Sequence, residues 1–237
     1  MRMLGDQLVC TACLGRASVD ASQAWSSLKA RQEAYRHQSL QAAAGIPPTF
    51  FAESFETFRA SNEKAGKLVT VLRNYCGNFQ VARFKRTGFI FIGLPGTAKT
   101  HLACSMVQAL VAQGISAVYT SLPRLTREIR NAYGKPRGVE QIIKSLVEAD
   151  FLVLDEIDLH GTSDNDYSTL YDIINARYEQ PGFPTLAISN RPLERLNRDL
   201  DERVVSRILA GTEPIIFDWE GQRNVRGPRE SAKGESR

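Results

Sequence analysis

Five short apolar runs constrain this chain more than any other feature: GFIFIG (88–93), SAVYTSL (116–122), DFLVLDE (150–156), PTLAISN (184–190) and EPIIFDW (213–219). Each is nearly continuous rather than alternating, and helical segments separate them. A strand with no polar face is buried on both sides, and strands alternating with helices form a parallel sheet. The expected fold is therefore α/β, a five-stranded parallel sheet with flanking helices covering both faces.

The first run leads into GLPGTAKT (93–100) and then into the helical segment HLACSMVQALVAQG, which closes on Gly114. Strand, glycine-rich turn and helix are the context of a phosphate-binding loop, G-x-x-x-x-G-K-[ST]. Backbone N–H groups of the loop and of the helix N-terminus would cradle phosphates. Lys99 would reach the outer phosphates, and the Thr100 hydroxyl would bind Mg²⁺. The residues expected around the nucleotide are thus Gly93, Pro95, Gly96, Thr97, Ala98, Lys99, Thr100 and His101. Ala98 stands where the pattern wants its second glycine. If that position needs positive φ, the methyl group costs about 1 kcal/mol. A methyl does not block the cradle, and Lys99 and Thr100 are intact, so a working loop is expected over a relic or a chance match.

DFLVLDEID (150–158) ends four apolar residues with a carboxylate pair. At the C-terminal tip of a parallel strand, Asp155 would join Thr100 around Mg²⁺, and Glu156 would polarise the attacking water. A solvated acidic turn is the bland alternative. Asn190 closes another strand and could orient the same water, or simply cap a turn.

The remaining segments read as appendages. Residues 1–15 are short and mixed. A helix is expected from Ala21 to Ala44, stopped by Gly45 and Pro47-Pro48, with Ala21, Trp25, Leu28 and Tyr35 on one narrow stripe. That stripe wants a partner, either the protein's own core or another chain. An aromatic connector (46–60) follows, then one helix from Ala65 to Phe84 with Leu68, Val71, Leu72 and Tyr75 on one side. The last dozen residues are polar and expected to be disordered. The expected organisation is an arm over 1–45, a connector and helix over 46–87, a nucleotide-binding domain over 88–226 and a tail over 227–237.

Charge is uneven. The balance is +6 over residues 1–87, −5 over 88–220 and +3 over 221–237. An acidic nucleotide core with basic appendages fits nucleic-acid contact, as solvated tails also would. In SLPRLTREIRNAYGKPRG (121–138), Arg124, Arg127 and Arg130 recur every third residue on a helix, and Tyr133, Lys135 and Arg137 follow in a loop. Phosphate contacts plus a stackable ring suit single-stranded DNA; a solvated basic face is the alternative. Cys10 and Cys13 form half a zinc site, which only His37 or Cys76 could complete, so zinc is not favoured. No apolar run approaches the roughly 20 residues of a membrane span, and the start lacks a signal-peptide core. A cytoplasmic protein without a membrane partner is expected.

GLPGTAKT, FLVLDE, AISN and ERVVSRI, in this order, resemble an AAA+ ATPase. GIPPTFFAESFETFRA, TAKTHLA and WEGQRNVRG narrow the resemblance to the DnaC-type helicase loaders and the related IstB-like ATPases, over about residues 46–226. An alanine before the loop lysine also occurs in MoxR-like and replicative MCM ATPases. The resemblance implies ATP and Mg²⁺ as ligands, Glu156 as catalytic base, Asn190 as sensor 1 and Arg223 as sensor 2. It makes Arg207 an arginine finger offered to a neighbouring subunit, with Arg203 as its rival; the bland reading of Arg207 is a surface arginine. It also implies no separate lid domain and an ATPase that is weak until subunits assemble. Single-stranded DNA would meet the 124–137 stretch, and the arm, through Trp25, Leu28 and Tyr35, would hold a replicative helicase. The competing functions are a transposition adaptor that binds duplex DNA and a nucleotide switch that does not hydrolyse.

Overall fold

The structure, a computed structural model, describes residues 2–4, 7–9, 11–158, 164–180, 183–200 and 202–219. Two short antiparallel strands, β1 (Arg2–Leu4) and β2 (Gln7–Val9), precede the long helix α1 (Thr11–Ala43). After a 3₁₀ turn at Pro48–Phe50 come α2 (Glu63–Gly77) and α3 (Phe79–Lys85). The core then runs β3 (Gly88–Gly93), α4 (Lys99–Ala112), β4 (Ala117–Ser121), α5 (Leu122–Ala132), α6 (Gly138–Val147) and β5 (Phe151–Asp155). It closes with α7 (Asp164–Glu179), β6 (Thr185–Ser189), α8 (Leu193–Asp199), α9 (Glu202–Leu209) and β7 (Thr212–Phe217).

All five expected runs are strands, and they pair in parallel in the order β4-β5-β6-β3-β7. The continuous apolar character has a direct cause. In β3, Phe89 and Phe91 enter a core with α2 and α4, while Ile90 and Ile92 enter a second core with α5 to α9. β5 divides the same way, with Phe151 and Val153 on one side and Leu152 and Leu154 on the other. The fifth run departs from the expectation of two covered faces. β7 is an edge strand, and Pro214 and Ile216 on it are exposed. A proline that cannot donate to a ladder is tolerated there.

From β3 the chain crosses one face through α4 to the far edge, and from β6 it leaves over the opposite face. The crevice at the C-terminal ends of these two neighbouring strands is thus where connections part, the usual ligand position in open α/β sheets.

The helical segments before the sheet differ from expectation in three respects. α1 begins at Thr11 rather than near Ala21, and carries Gly15 in its interior at the roughly 1 kcal/mol that a helical glycine costs. The helix expected over 65–84 is broken at Asn78, whose φ of −112° and ψ of 31° turn the chain between α2 and α3. Ala65, Leu68, Leu72 and Cys76 form the buried face of α2, and Val71 lies exposed beside it. Among the described residues no helix is long and apolar enough to cross a membrane.

Candidate nucleotide site

Gly93 ends β3 where the strand presses against β7: a Cβ there would stand 2.4 Å from Phe217 O and 2.7 Å from Phe217 Cβ. The turn that follows carries positive φ at Gly96 (86°) and at Ala98 (70°). The position of the odd alanine therefore does require a left-handed backbone, at a cost of about 1 kcal/mol. Ala98 is also the residue preceding α4, and its side chain caps nothing. The first amides of α4 consequently lack a side-chain cap, and they open at the C-terminal edge of the sheet. Thr97 Oγ1 donates to Leu94 O at 2.8 Å and tightens the turn.

Lys99 is buried. Its Nζ donates to Gly93 O at 2.6 Å and to Leu94 O at 2.8 Å. Burial pushes its pKa down to about 8, against the pull of Asp155 and Asp158. Thr100 Oγ1 donates to Asp155 Oδ2 at 2.7 Å, so the loop hydroxyl and the carboxylate 55 residues away meet directly. Asp155 is 3% exposed. The same Oδ2 accepts from the Tyr119 hydroxyl at 2.8 Å, and Oδ1 accepts from the Glu156 N–H at 2.7 Å. Burial raises the Asp155 pKa; the bonds from Thr100, Tyr119 and Glu156 N–H and the Lys99 charge oppose the rise. Glu156 is half-buried with φ at 55°, a left-handed conformation that costs a non-glycine residue of order 1–3 kcal/mol. Burial first, then Asp155 and Asp158, raise its pKa as well.

Thr100 and Asp155 present hard oxygen donors beside a lysine, the donor chemistry that suits Mg²⁺ shared with phosphates. β6 lies between β5 and β3, which brings Asn190 to the same edge. Its N–H donates to Asp158 Oδ2 at 3.1 Å, while the buried Asp158 Oδ1 makes no hydrogen bond among the described residues.

Other expected site residues lie elsewhere. His101 follows Thr100, but its ring turns to the connector: Nε2 is 3.1 Å from Ser54 O, and Nδ1 is 3.3 Å from Glu53 Oε2. Arg124 is half-buried, donating to Gly45 O and, at 2.8 Å, to Glu128. Arg127, Arg130, Lys135 and Arg137 are exposed, as is Tyr133. Arg207 is at the opposite end of the sheet. It lines a cavity of about 310 Å³ together with Gly88, Thr185 and Thr212, the first residues of β3, β6 and β7. Its guanidinium lies 4.3 Å from the Tyr178 ring centroid, and that of Arg203 lies 5.3 Å from the Tyr171 centroid. Trp25 and Tyr35 are each 74% exposed and Leu28 is 51% exposed, so their stripe does not pack on the described core. Arg223 and Cys10 fall outside the described residues, and nothing is described of the Cys13 side chain. Cys76 cannot complete a zinc site, since it is buried in the core with Sγ on Met106 O. Among the described residues no group of three or more His, Cys, Asp or Glu could hold a metal.

Sequence reasoning passed over Tyr119, which in an apolar strand reads as packing. Asp158 was visible as the third acid of DEID, but only the fold places it against Asn190.

Comparison with known proteins gives four findings. The family model described as IstB-like ATP binding protein matches residues 25–210. The replicative helicase loader DnaC of Escherichia coli (strain K12) is 27% identical over 201 residues, 84% of this chain and 80% of that protein. Among solved structures, the DnaC helicase loader superposes with a TM-score of 0.64 at 24% identity, covering 72% of this chain and 99% of that one. AMPPCP-bound DnaA from Aquifex aeolicus superposes with a TM-score of 0.60 at 19% identity, covering 72% and 50%.

Proposed function

We propose, from the premise that the chain belongs to the IstB-like ATP-binding protein family, that it is an ATP-dependent loader of a replicative DNA helicase. Its α/β core is of the AAA+ type. The observation that carries the loader reading is the 27% identity to DnaC across 84% of this chain, in a protein whose Lys99, Thr100, Asp155 and Glu156 converge.

In this reading Lys99 and the loop amides bind the triphosphate. Thr100 and Asp155 would hold Mg²⁺, which supplies charge neutralisation on the β- and γ-phosphates. Glu156 orients the attacking water and takes its proton, its raised pKa making it a better base. Asn190 orients the water from the neighbouring strand. Arg207, held at the far end of the sheet, cannot serve its own nucleotide and acts on that of a second copy, with Arg223 as sensor 2. Hydrolysis is accordingly weak until subunits assemble in the cytoplasm. Arg127, Arg130, Lys135 and Arg137, with Tyr133, grip single-stranded DNA. The arm over 1–45 docks the helicase through Trp25, Leu28 and Tyr35, ahead of a connector over 46–87, an ATPase domain over 88–226 and a tail over 227–237.

The test is capture of a replicative helicase by the full-length protein with ATP present. Changing Trp25 and Leu28 to Ala should weaken capture by about 2–4 kcal/mol, the scale of buried anchors, and leave ATP binding unchanged. Capture of the helicase at full affinity by that double variant would remove the arm from the mechanism. Tight binding of duplex DNA and a transposase, with no helicase captured, would point to a transposition adaptor.

A further inference from the structure

The arm and the ATP site meet at one residue of β4. Past α1, the Ala44 carbonyl accepts the Tyr119 N–H at 2.8 Å, and the Gly45 carbonyl accepts from Arg124. Gly45 is left-handed at φ 67°, and a Cβ there would stand 2.3 Å from Tyr119 O. Only a glycine lets the arm's end lie flush on the backbone of Tyr119. The connector then continues across α4, where Gln108 Nε2 donates to Phe50 O at 2.9 Å and His101 meets Ser54 and Glu53.

The side chain of Tyr119 runs inward from that same junction. It is 5% exposed, and its hydroxyl donates to Asp155 Oδ2, the oxygen that also accepts from Thr100. Asp155 thus has three donors among the described residues, and one of them sits on a residue to which the end of the arm is bonded. A phenylalanine would fill the same space in the core. What the phenol adds is one charge-assisted bond to a carboxylate that must point in one direction.

We propose that Tyr119 is a positioning residue for Asp155, and that it makes the carboxylate's orientation depend on the seating of the arm at Ala44 and Gly45. The inference rests on the reading that Thr100 and Asp155 hold Mg²⁺. An arm engaged by its partner and an arm left alone would then set different Mg²⁺ requirements at the nucleotide.

The experiment titrates Mg²⁺ into the full-length protein with a fluorescent ATP analogue and reads nucleotide binding by anisotropy. Tyr119→Phe should bind the analogue as the unmodified protein does in EDTA, and should need about tenfold more Mg²⁺ for half-maximal enhancement, the low end of what outer-sphere partners contribute. Gly45→Ala, which forces the junction off Tyr119, should raise the Mg²⁺ midpoint in the same direction. The double variant should be no worse than Tyr119→Phe alone, because the hydroxyl is the link. If Gly45→Ala lowers the melting temperature, Arg124→Gln loosens the same junction without added strain and takes its place. An unchanged midpoint in Tyr119→Phe would overturn the positioning role, and additive shifts in the double variant would overturn the link to the arm. Asp155→Ala separates the two layers: Mg²⁺ enhancement that survives it means the reading of the metal site has failed, whatever Tyr119 does.

Discussion

Two cations are buried at opposite ends of one sheet, and they are buried for opposite reasons. Arg177, 3% exposed, sits at the N-terminal ends of the strands. Its guanidinium donates to the carbonyls of Leu146, Val147, Ala149 and Pro184 and to Thr185 Oγ1, at 2.7 to 3.0 Å. Every edge of the fork is spent on closing α6 and the starts of β5 and β6 together. Burial brings its pKa down to about 9, and it stays charged at neutral pH. Lys99, 5% exposed, sits at the C-terminal ends. Its close partners are two carbonyls of a turn whose Leu94, Pro95 and Gly96 are exposed. A flexible stem carries its ammonium, which can exchange those carbonyls for a phosphate. The contrast teaches that burial of a charge says little until its partners are counted. A cation saturated by fixed carbonyls suits a clamp, and one held by a few carbonyls of an exposed turn suits a binding group.

Arg207 sharpens the contrast, because it shares the cavity of Arg177 yet rests on an aromatic face, that of Tyr178. Unlike Arg177, and like the exposed Lys85 and Arg86 that line the same cavity, it is not spent on carbonyls of the fold. Its loss should have the largest effect, about 10³–10⁵ in hydrolysis if it completes a neighbour's site. On the proposed reading, Arg207→Ala subunits would keep a complete ATP site and Glu156→Gln subunits would keep a finger. Phosphate release should therefore be near zero for each variant alone and recover on mixing. No recovery in demonstrably mixed assemblies would move the role to Arg203 or abolish it.

The next effect is on stability. Arg177→Leu leaves several buried carbonyls without a donor, at about 1–3 kcal/mol for each that stays unpaired. Its thermal or urea unfolding should show a loss of at least about 3 kcal/mol, with the nucleotide affinity of the remaining folded protein unchanged. A well-folded Arg177→Leu protein that has lost ATP would reverse the assignment of the two ends. The smallest effect belongs to Ala98→Gly. Relief of the left-handed alanine should improve stability or ATP affinity by up to about 1 kcal/mol, measured by melting and by titration.

Much of this was legible in the sequence because it is written in contiguous residues. The strands declare themselves by apolar runs, and the loop by GLPGTAKT. The acidic pair stands at a strand tip, where a parallel sheet places it beside the loop. What stayed hidden depends on distant partners. Arg177 reads as an ordinary surface residue of the segment NARYEQ until α6 and β6 fold around it. Arg124 matches the spacing of Arg127 and Arg130, yet it ties down Gly45, 79 residues earlier. Tyr119 is one more ring in an apolar strand until Asp155 is brought beneath it. Asn78 breaks the helix expected over 65–84; Gly77-Asn78 are residues that favour helix ends, yet the apolar spacing of Leu72, Cys76 and Phe79 runs on across them and hides the break.

The most direct measurement is calorimetric titration of Mg·ATP into the unmodified protein and into Lys99→Ala, with a melting curve for each. The account predicts binding in the micromolar range for the unmodified protein and none for Lys99→Ala, while the two melting temperatures stay within a few degrees, since Lys99 is a binding group and not a clamp. Absence of binding by the unmodified protein at high micromolar nucleotide, or equal binding by Lys99→Ala, would contradict it.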